Sequence, residues 1–416
     1  MTSPPSAPNS PTFLLSLIAS RLRSAMDPFE KLPPELIHDI ITLTADFVGV
    51  ESLLRISPRV RAVFHAQPRI IILDLIDANP ITTMPDVQQL CRNISLIQTP
   101  STKPADFDEY RRICENISSV LPEDLTNAEI YHILQHAARI QRLACRCLHT
   151  MQQNFIAAVE PSCAEAAGKP LLWLEEYRVY WALWHLQHYS YLRNAAMGRW
   201  GWSYESLAKL DEYTTVRGIP SSFLSEHFWT VAAVLADLGL GPPSYGHHTG
   251  TATDTKDDCS SPNEEPEWAS WQYPDSTPLP FFASLDLPAH WPDAYPIWCA
   301  PPLPEDASTP PDQRAEKRLN ITVPTRLYRL YSRVLSRHGQ GSAYWDMMRF
   351  APYRRLGVVF WSSYRMLEAG LLRGQSLPAA FYSAADRSRG EVGQHRMWAN
   401  WLGIVGKGLP CGHSID

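Results

Sequence analysis

The chain has 416 residues, 45% of them hydrophobic, and a formal net charge of −6. This length allows about two or three domains with a large buried core. A mildly acidic chain argues against wholesale binding to nucleic acid or to an anionic membrane surface. No apolar run approaches the roughly 18 residues that a membrane-spanning helix needs. We therefore expect a globular protein with neither a nucleic acid nor a membrane as its partner, irregular where its 36 prolines cluster.

The eight cysteines are scattered along the chain. A disulfide framework in a small secreted domain has closely spaced cysteines, and this chain does not fit that pattern. Reduced thiols in a cytoplasmic or nuclear protein are the plain expectation.

Residues 1–26 are predicted to be a disordered leader, because prolines and small polar residues fill their first half. The apolar run from Phe13 to Ala19 precedes Arg21 and Arg23, whereas a signal peptide carries its positive charge before the apolar run. A mitochondrial presequence is the alternative, since the segment contains serine and arginine and no acid. Its prolines and its few arginines argue against that alternative.

The stretch from Leu32 to Phe64 predicts three short helices. Pro33 and Pro34 suit the first turn of a helix, and Gly49 is placed to end it. A second short turn covers 51–56, and Ser57 is predicted to cap the third helix with Pro58 in its first turn. Apolar residues of the first helix recur at three- and four-residue steps, in a stripe wider than one partner helix needs: Leu36, Ile37, Ile40, Ile41, Thr44, Phe47 and Val48.

Three helices of this size cannot bury enough apolar surface alone, so we expect part of the module to pack on something outside it. Each fully buried leucine or isoleucine would contribute roughly 1.5–3 kcal/mol. That surface is either a partner protein or the chain's own following helices, and periodicity does not separate the two.

The residues of this module resemble an F-box. The run LPPELI from Leu32 to Ile37, followed by Ile40-Ile41, is similar to the opening of that motif. The run SLLRISPRV from Ser52 to Val60 is similar to its second half. A more diffuse similarity to fungal F-box proteins continues through 139–144, 175–187 and 353–370.

The resemblance implies a non-enzymatic substrate adaptor of an SCF (cullin-RING) ubiquitin ligase. Its N-terminal helices would bind a Skp-type linker protein, and its helical body would hold an unknown protein substrate for ubiquitination. No catalytic residue and no cofactor are then expected. Leu36, Ile40, Val60 and Phe64 would hold the three helices together. The residues expected to contact the linker are Leu32, Pro33, Ile37, Ile41, Leu53 and Leu54.

The alternative is a non-catalytic scaffold whose F-box-like helices pack within the chain and recruit no ligase. The third helix supports it, because Phe64 stands there without the tryptophan common in the family. A helical enzyme is a third possibility, and only chain length and aromatic content favour it.

Behind the module, hydrophobic periodicity predicts an all-α fold: an irregular multi-helix bundle with a long Pro-rich insertion. Thr126 and Glu129 form a capping-box pattern at the start of a long helix that runs to about residue 159. The predicted helices cover 68–77, 85–98, 105–120, 126–159, 170–197, 206–214, 221–238, 325–334, 343–350, 353–372 and 391–402. The predicted divisions are a leader (1–26), an F-box-like module (27–78), a helical body (79–241), a Pro-rich acidic insertion or linker (242–320), C-terminal helices (321–404) and a tail (405–416).

Patterns that would carry chemistry are weak. His132 and His136 have the spacing of two metal ligands on one helix, but no third ligand follows at a useful spacing. Cys145 and Cys147 point to different sides of a helix, which favours buried structural cysteines over a metal site. The basic run from 314 to 337 is interleaved with core leucines and is typical of a solvated face. We therefore expect no metal site.

Overall fold

The computed structural model describes residues 27–116, 121–213, 222–240 and 354–369. Within these ranges the fold is all-α, and no strand is present. The α-helices are α1 (Pro34–Thr44), α2 (Phe47–Ile56), α3 (Pro58–Ala66), α4 (Pro68–Ala78), α5 (Pro85–Gln98), α6 (Phe107–Asn116), α7 (Asn127–Ala158), α8 (Ala164–Ala167), α9 (Trp173–Ala195), α10 (Tyr204–Glu212), α11 (Ser222–Leu235) and α12 (Ser363–Glu368). Short π-helical turns extend α9 through Ala196–Trp200 and α11 through Ala236–Leu240.

Local sequence signals account for most helix starts. Proline occupies the first position of α1, α3, α4 and α5, where the missing N–H has no helical partner to lose. The Ser57 hydroxyl caps α3 as predicted, accepting from the Val60 amide at 3.0 Å. Thr126 and Glu129 form both bonds of the predicted capping box of α7. The chain's polar and proline residues therefore mark the starts of its helices.

The long helices α7 and α9 form the centre of the described fold. Helix α9 packs against α5, α7 and α11, while α7 also contacts α2 and α4. Most residues of α9 are buried, including Tyr189 and Trp184, so the helix is enclosed on nearly all sides. The aromatic pattern of α9 predicted this central position.

The boundary between α1 and α2 differs from the prediction. Helix α1 ends at Thr44, where Ala45 adopts a positive φ of 48°. Gly49 does not end α1 but lies inside α2, where an added Cβ would come 2.8 Å from the Asp46 carboxylate. Since that carboxylate caps α2 at the Val48 amide, a side chain at position 49 would have to displace the cap.

The predicted helix 353–372 is also wrong in its first half. Gly357 has a positive φ of 65°, and residues 356–362 form turns before the short helix α12. These turns lie in the core: Trp361 is fully buried, and its indole N–H donates to the Leu356 carbonyl at 2.7 Å.

The leader, the insertion and the predicted helices at 325–334, 343–350 and 391–402 lie outside the described residues.

Gly357→Ala is expected to destabilise the protein by roughly 2 kcal/mol, because a side chain there would combine a left-handed backbone with overpacking. An added Cβ would lie 2.7 Å from the sulfur and 2.9 Å from the Cβ of buried Met151. Gly201→Ala is the matched control, since Gly201 has the same φ of 65° and no atom within 4 Å of its added Cβ. In urea unfolding, Gly201→Ala should lower the free energy of unfolding by less than Gly357→Ala does. Equal decreases would mean that the contact with Met151 does not contribute to the destabilisation.

Candidate protein-docking face

Helix α1 carries two adjacent apolar stripes. Ile37 and Ile41 form the inner stripe and are both 0% exposed. Leu36, Ile40 and Leu43 follow one another at steps of four and three residues, so they share a second face, here called the outer stripe. Leu36 is 49% exposed and Leu43 is 83% exposed. One side of α1 therefore belongs to the core, and the other presents leucine to solvent.

Acidic residues border the outer stripe. At about 100° of rotation per residue, Glu35 and Asp39 project from the side of α1 opposite the inner stripe, next to Leu36. Both are exposed. On the remaining side, His38 lies 3.2 Å from the Asp74 carboxylate of α4. The outer stripe is thus an apolar strip with a negative border.

The residues before α1 are fixed by the start of α3. The Asp27 carboxylate accepts from the Ser57 hydroxyl at 2.7 Å and from the Arg59 amide at 3.0 Å. A carboxylate at this position also complements the positive end of the α3 dipole. The Arg59 guanidinium reaches the Leu32 carbonyl at 3.4 Å. Leu32 is half-buried and Pro33 is exposed, so this turn leaves apolar side chains accessible just before the outer stripe in the sequence.

Helix α2 is anchored to the long helix α7 by polar contacts. The Asp46 carboxylate accepts from the Gln141 amide group. The Glu51 carboxylate, almost fully buried, accepts from Arg142 of α7 and from Arg55 at 3.0 Å. These contacts join the N-terminal helices to the helical body. On the free side of α2, Ile56 is 69% exposed.

The residues predicted to bind a linker fall into two groups. Ile37, Ile41 and Leu54 are buried in the protein's own core, so a partner reaches them only if the core opens. The accessible ones are Leu32, Pro33 and Leu53, which are half-buried, exposed and half-buried respectively.

Sequence reasoning missed the outer stripe as a surface. Leu36 and Ile40 were expected between the three helices with Val60 and Phe64. Leu36 is half-exposed and Ile40 half-buried, whereas Val60 and Phe64 are buried. The Phe64 ring also packs against Tyr131 of α7. The signal was present in the width of the apolar pattern: Leu36, Ile40 and Leu43 duplicate the spacing of the inner stripe. Periodicity alone does not show which of the two stripes is buried.

The paired histidines of α7 have separate environments. His132 is exposed, whereas His136 is buried, with its Nδ1 3.1 Å from the Tyr191 hydroxyl. Burial, aided by the positive charge of Arg139, lowers the pKa of His136 to about 3. Cys147 is buried and Cys145 half-buried, both as free thiols. In the part of the chain that the structure describes, no group of three or more histidine, cysteine or acidic residues is arranged to hold a metal.

A buried ionic group lies far along the chain from α1, where α12 meets the start of α9. The Glu175 carboxylate and the Arg365 guanidinium pair at 2.8 Å, and both are almost fully buried. The neighbouring Glu176 is also buried, with its Oε2 lacking a hydrogen-bond partner. Burial, followed by repulsion from Glu175, raises the pKa of Glu176 to about 10 against an opposing effect of Arg365. The Glu175–Arg365 pair thus connects α12 to the start of α9.

Comparisons with protein-family models, curated proteins and solved structures find no match. Among the described helices, none is both long enough and apolar enough to cross a membrane.

Proposed function

We propose that this protein is a non-enzymatic adaptor that binds a Skp-type linker of a cullin-RING ubiquitin ligase through its N-terminal helices. The helical body would hold a protein substrate, and the partners would supply catalysis. Such an adaptor would work in the cytoplasm or nucleus. The observation that carries the proposal is the exposed outer stripe directly after Leu32 and Pro33.

The outer stripe has the chemistry of a helix that docks into an apolar groove. Its three apolar residues are one or two helical turns apart, the spacing with which an amphipathic helix fills such a groove. Burying Leu36 and Leu43 against a partner would contribute roughly 1.5–3 kcal/mol each. Leu32 and Leu53 would extend the contact at its edges. The inner stripe holds α1 rigid, so little conformational entropy is lost on binding.

The double variant Leu36→Glu/Leu43→Glu is expected to weaken linker binding by about 100-fold or more, because it places charges where the complex would bury two leucines. Both side chains are exposed, so the thermal midpoint of the variant should stay close to that of the wild type. Titration of the full-length chain with the purified linker measures the change.

Met197→Glu is the matched control, because Met197 is 54% exposed and lies on the π-helical turn after α9. It should leave linker binding unchanged. Equal binding by the wild type and the double variant would exclude the outer stripe as the contact.

The second candidate function is a scaffold that recruits no ligase. The anchoring of α2 to α7 and the burial of Ile37 and Ile41 favour it, because they show these helices packed within the chain. Under this proposal the exposed leucines bind some other protein, and the wild-type chain shows no affinity for the linker. Linker titration therefore separates the two candidates.

A further inference from the structure

We propose that the leader of this chain docks on the outer stripe of α1 in the free protein, with its apolar run from Phe13 to Ala19 covering Leu36, Ile40 and Leu43. This contact goes beyond the proposed adaptor function and does not depend on it. Three observations support it: the composition of the two segments, their charges, and the point where the leader joins the fold.

The apolar residues of the leader match the surface that α1 leaves exposed. Phe13, Leu14, Leu17 and Ile18 are spaced so that one face of a helical conformation would carry all of them. The outer stripe offers half-exposed Leu36 and largely exposed Leu43, with half-buried Ile40 between them. Docking removes both apolar surfaces from water, which favours the contact.

The charges of the two segments are complementary. Residues 1–26 contain Arg21 and Arg23 and no acidic residue. Helix α1 contains Glu35 and Asp39 and no lysine or arginine, and both acids border the outer stripe. Opposite charges beside an apolar contact fix its register more than they increase its affinity.

The order of residues fits an antiparallel arrangement. Asp27 is held at the start of α3, close to the turn that begins α1. The arginines lie a few residues before Asp27 and would meet the acids of the first turns of α1. The apolar run lies farther from Asp27 and would extend toward Leu43. The six residues 21–26 could span up to about 20 Å. This reach exceeds the roughly 12 Å from Glu35 to Leu43 along α1, so the connection is long enough for the apolar run to reach the outer stripe.

The leader and α1 belong to the same chain, so this docking is intramolecular. A tether of a few residues gives the leader an effective concentration in the millimolar range at the outer stripe. A weak contact is then sufficient to occupy the stripe. If a linker binds the same stripe, the leader is its competitor within the chain.

Photo-cross-linking of the full-length chain tests the contact. Leu17 is replaced by p-benzoyl-phenylalanine, and mass spectrometry identifies the peptide that it joins after irradiation. We expect the main product within one chain to be a cross-link to the α1 peptide, residues 33–44. A mixture of isotope-labelled and unlabelled chains distinguishes this product from one between two copies. The same probe at Thr2 is the control and should give little cross-link to the α1 peptide.

Variants on each side of the contact sharpen the test. Leu43→Glu and Arg21→Glu/Arg23→Glu should each lower the α1 cross-link by about fivefold or more, since each removes part of a tethered, weak contact. Met197→Glu should leave the yield unchanged. Cross-links only between chains, cross-links only outside α1, or a yield insensitive to these substitutions would overturn the inference. Because the measurement uses the chain alone, failure to bind a linker would remove the adaptor function and leave this result standing.

Discussion

Arg365→Ala is expected to destabilise the protein by roughly 3–5 kcal/mol, because it leaves the buried carboxylate of Glu175 without its cation. The Arg365 guanidinium donates to both oxygens of Glu175, at 3.0 and 2.8 Å. It also donates to the carbonyls of Ala167, Lys169 and Pro170 at 2.8–2.9 Å. One side chain thus joins α12 to both ends of the α8–α9 connection. Urea unfolding monitored by tryptophan fluorescence measures the loss.

The nearby pair of Lys169 and Glu368 provides the control. This pair also joins α12 to the connection between α8 and α9, with the Lys169 Nζ 2.8 Å from the Glu368 carboxylate, but the lysine side chain is half exposed. Breaking it with Lys169→Ala should cost about 1 kcal/mol or less, since exposed ion pairs contribute little. Arg365→Lys should remain strongly destabilising, because an ammonium does not reproduce the planar, bidentate contact. An Arg365→Ala protein as stable as the Lys169→Ala protein would contradict this account of the join.

Glu176→Gln is expected to stabilise the protein at neutral pH by an amount that disappears in acid. Burial, then repulsion from Glu175, raises the pKa of Glu176 from 4.5 to about 10, so the folded state keeps a proton that the unfolded state releases. The contribution of this group to stability is therefore fully present below pH 4.5 and is lost as the pH rises toward 10. At about 1.4 kcal/mol per pH unit, the loss at pH 7 is on the order of 3 kcal/mol.

The measurement is the free energy of unfolding of the wild type and of Glu176→Gln between pH 4 and pH 8. The free energies of unfolding of the two proteins should be equal at pH 4. Above pH 4 the difference should grow steadily, with the glutamine variant the more stable. Glu165→Gln, at an exposed position of α8, should follow the wild type throughout. A constant difference at every pH would mean that protonation of Glu176 is not its cause.

The fold was predictable where local chemistry determines it. Thr126 and Glu129 are close in sequence and satisfy the same helix end, so the start of α7 could be derived without a structure. The long apolar pattern of α9 likewise indicated a central helix. Prediction failed at Gly357, where periodicity continued but the backbone turned. That turn depends on long-range contacts, such as the Arg178 guanidinium with the Phe360 carbonyl at 3.0 Å, which no local pattern encodes.

The sequence predicted that the first helix has a wide apolar surface, but not which side of it is exposed. The sequence indicated an apolar surface on the first helix, and its width suggested more than one neighbour. It did not indicate that Ile37 faces the interior and Leu36 the solvent. That choice depends on where α3 and α4 lie, because α1 packs against both of them. The position of α4 beside α1 involves contacts distant in sequence, such as His38 with Asp74. The burial of an amphipathic helix is set by the tertiary structure.

Mixing the wild-type full-length chain with a purified Skp-type linker and following amide hydrogen exchange tests whether α1 is the linker contact. We expect a one-to-one complex in which added protection falls on residues 30–44 and on the end of α2 near Leu53 and Ile56. The Leu36→Glu/Leu43→Glu variant should form no such complex. Absence of a complex with the wild type, or protection confined to regions away from α1, would overturn the proposed contact.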